Sequence, residues 1–120
     1  MEFKKKQTIY LQIAKQLTDK ILEGAYMEEQ KVPSIRALAV DLQVNPNTVQ
    51  RTYEHLQHEE IIFTQRGRGY FVCKGALKKI KAKRKSDLIN NDLPQLFEAM
   101  KLLDIPIEEV VSKYESSKKN

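Results

Sequence analysis

At 120 residues the chain can hold one domain and a small appendage. Apolar residues make up 41% and charged residues 31%, enough for a modest core, and no apolar run nears the roughly 20 residues that cross a bilayer. One cysteine, Cys73, excludes an internal disulfide, and a net charge of +5 permits a polyanionic partner without requiring one.

The start, Met1-Glu2-Phe3-Lys4-Lys5-Lys6, is not followed by the apolar stretch of an export signal, so a cytoplasmic location is expected, in keeping with the lone thiol. Between Lys74 and Lys85 stand seven basic residues (74, 78, 79, 81, 83, 84 and 85) and no acid. Such a run reads either as a solvated linker face or as a contact with DNA phosphates.

In chain order, the first periodic segment runs from about Thr8 to Glu23. Tyr10, Ile13, Ala14, Leu17 and Ile21 recur at helical spacing, and Gly24 offers a C-terminal stop. A polar stretch, 25–31, leads to Ser34, an N-cap for a helix of about nine residues with Leu38, Ala39 and Leu42 inward. That helix ends near Gln43. Asn45-Pro46 then opens a helix of about fourteen residues: Asn caps well, and Pro suits the first helical position because its missing N–H would lack a partner there. Val49, Tyr53 and Leu56 form its inner face, with Thr52 at the edge. Two helices joined by about three residues have helix-turn-helix spacing.

The segment 60–65 is rich in β-branched and aromatic residues, Arg66-Gly67-Arg68-Gly69 is a turn, and Tyr70 to Cys73 is again β-prone. A hairpin after the two helices makes a winged helix-turn-helix. The tail is helical with an interruption: Ala76 to about Asn90, Leu93 to Asp104, and a last short helix from Pro106. Residues 116–120 are expected to fray. The expected fold is therefore mainly α with a small β-hairpin, a DNA-binding domain over 1–75 and a helical segment over 76–120.

Four stretches carry a family resemblance: Tyr10-Leu-Gln-Ile-Ala-Lys-Gln-Leu, Val32-Pro-Ser-Ile-Arg36-Ala-Leu-Ala, Val44-Asn-Pro-Asn-Thr-Val49 and Gln65-Arg-Gly-Arg-Gly-Tyr-Phe-Val72. In this order and spacing they resemble the GntR family of bacterial transcription regulators. The Asn-Pro-Asn-Thr-Val form with a tail of about 45 residues looks like its YtrA-type branch. The resemblance implies a dimeric repressor whose short tail dimerises and whose targets include transporter operons and its own gene. This sequence departs from the pattern at Gln43, where Gly is usual, and at Ala37, where an acid would complete a capping box.

Helix geometry turns Asn47 and Arg51 outward, with Thr48 and Gln50 beside them. Asn and Gln can bond adenine N6/N7, and Arg can bond guanine O6/N7. The Thr48 hydroxyl and the N–H groups of the helix start suit phosphate. Gly67 and Gly69 allow close backbone approach, and Arg66 and Arg68 reach phosphate or the minor groove. Ser34 and Asn45 complete the candidate set at the helix starts. Arg36 joins it by resemblance; an ion pair with Asp41 or Glu54 is its alternative. Helix capping is the other reading of Asn47 and Thr48, as is a solvated charge of the three other arginines.

A single winged helix reads few base pairs, so two copies on an inverted repeat are expected. The tail face Leu93, Leu96, Phe97, Met100 and Leu103, with Val110, Val111 and Tyr114, is the candidate dimer surface. No cofactor, membrane or enzymatic chemistry is implied. His55 and His58 lack an evident third metal ligand, and Arg66-Gly-Arg-Gly lacks the Lys-Ser/Thr of a phosphate-binding loop. A tail this short leaves little room for an effector pocket within one subunit, and a site between subunits stays open. A protein-docking winged helix and a nonspecific architectural DNA binder are the competing readings.

Overall fold

The computed structural model describes residues 7–118. The basic start at 1–6 and the last two residues of the segment expected to fray lie outside them. Elements follow in the order α1 (Ile9–Leu22), α2 (Ile35–Leu42), α3 (Pro46–His58), β1 (Ile62–Gln65), β2 (Gly69–Val72), α4 (Ala76–Asp87), a π-helical turn (Leu88–Asp92), α5 (Leu93–Leu102) and α6 (Ile107–Ser117).

The stop signals act as their chemistry requires. After α1, Gly24 takes φ 89°, and the N–H groups of Gly24 and Ala25 return to the carbonyls of Ile21 and Lys20, closing the helix end. Ser34 Oγ accepts from Ala37 N at 3.0 Å, and Asn45 Oδ1 accepts from Asn47 N at 2.8 Å. Gln43, between α2 and α3, stands in the left-handed region (φ 55°, ψ 49°), where the missing glycine would have been unstrained.

One core serves α1 to α4. Ile13, Leu17 and Ile21 of α1 meet Leu38 and Ala39 of α2, Val49, Tyr53 and Leu56 of α3, and Ile62 and Val72 of the hairpin. Thr52 is fully buried rather than at the edge of α3. Its hydroxyl is held at 2.8 Å from the carbonyl of Tyr10 and 3.1 Å from that of Thr48, so it costs little to bury. The phenol of Tyr53 donates to the carbonyl of Pro33. Burial, then the neighbouring phenols of Tyr26 and Tyr70, push its pKa well above the ordinary value, so it stays a donor.

The hairpin is antiparallel, with Ile62 opposite Val72 and Gln65 opposite Gly69. A third lane lies beside β2: Lys31 bridges to Phe71, Glu29 N donates to Val72 O, Val32 N to Tyr70 O, and Val72 N to Gln30 O. The polar stretch 25–31 therefore ends as sheet edge, which its composition did not announce.

The chain divides into two compact units at residues 84/85, and Ala76 and Ile80, just past the expected division at 75/76, are buried in the core of the first. In the second unit, Pro94 supplies no N–H to the carbonyl of Asn90, and the chain closes a wider turn in which Leu93 N bonds Leu88 O. The expected interruption is thus a π turn, not a break. Helix α6 includes Ser116 and Ser117, where fraying is expected from position alone.

Candidate nucleic-acid interface

The predicted contact residues fall on three elements. Asn47, Gln50 and Arg51 are exposed on α3, Thr48 is half-buried beside them, and the cap Asn45 is exposed at its start. Ser34 and Arg36 are exposed at the start of α2, and Arg66, Gly67 and Arg68 are exposed in the hairpin turn. Among the described residues Arg36 forms no ion pair, so neither Asp41 nor Glu54 neutralises it.

The start of α3 departs from the expectation that its N–H groups meet phosphate. The backbone N–H groups that open α3 are not free for phosphate: Pro46 has none, Asn47 N is taken by the Asn45 side chain, and Thr48 N donates to Asn45 O at 2.9 Å. The Thr48 hydroxyl and the neighbouring side chains are what this end offers.

The turn closes with Arg68 N donating to Gln65 O at 2.9 Å, and Gly67 takes φ 78° as its third residue. The rings of Phe63 and Phe71 stack across the strands at 5.6 Å, and the Arg68 guanidinium lies 6.0 Å from the Phe71 ring. Gly69, at φ 116°, serves a second purpose. A Cβ there would come within 2.8 Å of Lys31 Cε, so the missing side chain lets Lys31 cross the hairpin. Lys31 is an exposed cation beside the turn with no local signal in the sequence to place it; only its pairing with Phe71 brings it there.

Arg51 is also less free than a solvated arginine. Its guanidinium carbon stands 4.0 Å from the ring centre of Tyr10, which meets the His55 imidazole edge-on at 6.0 Å. His55 in turn lies 3.2 Å from the Glu59 carboxylate. The pair His55 and His58 is therefore not a matched set: His55 is half-buried and engaged, and His58 is exposed.

The basic run from Lys74 divides by role. Arg84 binds Asp19, the Thr18 hydroxyl and the Lys15 carbonyl; Lys79 lies 2.9 Å from Glu60; Lys83 lies 3.6 Å from Glu59. These three tie α4 to the domain. Lys74, Lys78, Lys81 and Lys85 are exposed and, among the described residues, unpaired. The Cys73 thiol is half-buried and its pKa is raised by burial, which suits packing rather than redox chemistry.

In the tail, Met100 is buried within the chain and Leu93, Leu96 and Val110 are half-buried, while Phe97, Leu103, Val111 and Tyr114 are exposed. Leu102 and Ile107, not among the expected surface residues, are exposed apolar side chains too.

Two helices at helix-turn-helix spacing, an antiparallel hairpin behind them and an exposed row of Asn, Gln and Arg define a winged helix-turn-helix of the DNA-binding class. Residues 9–72 match the family described as "Bacterial regulatory proteins, gntR family". The chain is 34% identical over 110 residues to the HTH-type transcriptional regulator YhcF of Bacillus subtilis, covering 92% of this chain and 89% of YhcF. It is 40% identical over 88 residues to the HTH-type transcriptional repressor YtrA of the same organism, covering 73% and 67%. A solved GntR family transcriptional regulator from Listeria monocytogenes superposes with a TM-score of 0.77 at 30% identity, covering 94% of this chain and 97% of that one. The chain belongs to the gntR family and is a DNA-binding transcriptional regulator, not an enzyme.

Proposed function

We propose that the chain acts as a homodimer that represses transcription by occupying an inverted-repeat operator and excluding polymerase. The observation that carries this reading is the exposed set Asn47, Gln50 and Arg51 on α3, next to a hairpin turn bearing Arg66 and Arg68. Asn47, Gln50 and Arg51 read base edges in the major groove, where Arg pairs best with guanine O6/N7. Thr48, Ser34 and Arg36 hold the helix on the backbone. Arg66 and Arg68, with Lys31 beside them, neutralise phosphate or enter the minor groove.

Dimerism is supported by the apolar side chains that α5 and α6 leave exposed, Phe97, Leu103, Val111 and Tyr114 together with Leu102 and Ile107. A twofold pair of recognition helices would sit about 34 Å apart, one turn of duplex. Repression is supported by the likeness to the repressor YtrA.

Selection of bound duplexes from a random library tests the operator, its symmetry and its spacing at once; recovery of sites without twofold symmetry overturns the dimer reading. On the recovered operator, Arg51→Ala should cost about 1–3 kcal/mol at one base-pair position. Arg68→Ala should weaken every sequence alike and reduce the salt slope by about one unit. Equal losses on operator and random DNA for Arg51→Ala would remove its base-reading role.

A further inference from the structure

We infer that Tyr10, on α1 and outside the helix-turn-helix itself, is a positioning residue for Arg51: its ring carries the face of the guanidinium and leaves the N–H edge aimed for a base. This rests on Arg51 as a base reader.

The geometry supplies the reason. At 4.0 Å from the ring centre, the guanidinium carbon lies well inside cation–π range. A guanidinium is planar, and its five donors lie in that plane. Stacking on a ring uses the face, so the donors stay available for the paired acceptors of guanine. An ion pair would instead consume them, and among the described residues Arg51 has none. A lysine ammonium has no such face and edge to divide between ring and base.

The ring is itself held. The backbone carbonyl of Tyr10 accepts from Thr52 Oγ1 at 2.8 Å, which pins α1 to the residue after Arg51. The imidazole of His55, one turn further along α3, meets the ring at an interplanar angle of 80°. Tyr10 thus sits against one side of α3, fixed through Thr52 and His55 while it carries Arg51. A long side chain ordered before docking loses less freedom when it docks. The ring should therefore add to recognition of one base pair and little to general attraction for DNA.

The test is a double-mutant cycle on the operator recovered by selection, read against random duplex of equal length. Tyr10→Leu should weaken operator binding about three- to fivefold, the size expected of an exposed cation–π pair, with the loss confined to the base pair read by Arg51. Tyr10→Phe keeps the ring and should retain wild-type affinity. Both variants keep the backbone bond to Thr52, and unchanged thermal unfolding confirms an intact domain. In the Arg51→Ala background, Tyr10→Leu should change nothing further. Equal losses on operator and random DNA for Arg51→Ala would overturn the base-reading role and this inference with it. If Arg51→Ala relaxes one position while Tyr10→Leu binds as wild type, or the two losses simply add, the inference alone is overturned. Tighter operator binding by Tyr10→Leu also overturns it, because the ring would then be holding Arg51 back.

Discussion

Gln43 carries the bend between α2 and α3 in a conformation that a side chain disfavours, with φ 55° and ψ 49°. The bend is enforced by its neighbours: Gln43 N donates to Val40 O, and Val44 N reaches Ala39 O at 3.0 Å. The Gln43 side chain is exposed, so removing it forfeits no core contact. Gln43→Gly should therefore stabilise the domain by about 0.5–1 kcal/mol, the relief of left-handed strain exceeding the added freedom of the unfolded chain. Urea unfolding would read this as a higher midpoint at constant slope. Operator affinity should not change, since Gln43 is outside the contact set. Thr52 shows how far one residue can be read from sequence: its place on α3 followed from periodicity, but its burial depends on a carbonyl 42 residues away.

Helix α4 is basic and weakly amphipathic, and it owes its place to acids on other elements. The Glu28 carboxylate accepts from Gly75 N at 2.9 Å and Leu77 N at 3.1 Å, capping α4 from a distant loop where the helix dipole also favours an anion. These two N–H bonds hold the Glu28 pKa below its ordinary value. For Asp19, burial works upward, but the hydrogen bond and charge of Arg84, with Lys15, bring it below; the Lys79 hydrogen bond does the same for Glu60. Carboxylates with depressed folded pKa values contribute stability that is complete above their unfolded values and lost as pH falls through the folded ones. Amide exchange should therefore show α4 losing protection below about pH 4, ahead of α3, whose anchors Tyr53 and Thr52 carry no such charge. Glu28→Gln should reproduce that loosening of α4 at neutral pH; equal protection in variant and wild type would mean that the Glu28 charge does not hold α4. What neighbours within a turn or two determine is legible in the sequence: the Ser34 and Asn45 caps, Pro46 at the start of α3, the Gly24 stop and the hairpin. What is fixed over long separations is not legible there: the Glu28 cap, the Arg84 clamp on α1 and the Lys31 lane beside β2. None of these leaves a periodic or local signal, and a run of lysines looks the same whether it faces solvent or an acid.

At the scale of the whole molecule, the boundary at Arg84 decides how the dimer can be tested. A cut at 75, where composition changes, removes Ala76 and Ile80 from the core, the Leu77 N–H from Glu28 and the whole Arg84 network from Asp19. Truncating an isoleucine in a comparable core costs about 2–5 kcal/mol by itself, so such a fragment would lose DNA binding by unfolding, and its behaviour would say nothing of assembly. A cut after Arg84 keeps all of these contacts and removes only the unit that bears the exposed Phe97, Leu102, Leu103, Ile107, Val111 and Tyr114. Residues 1–84 should therefore melt cooperatively and sediment as a monomer at tens of micromolar, where the full chain sediments as a dimer. Because two linked half-site contacts gain about 10²–10⁴ over one, the fragment should bind the recovered operator at least about 100-fold more weakly than the full chain. It should still prefer a single half-site over random duplex, since the Arg51 platform is intact. A fragment that stays dimeric would move the interface onto the winged helix itself. A monomeric fragment that binds the full operator as tightly as the intact chain would instead mean that twofold pairing contributes nothing to recognition.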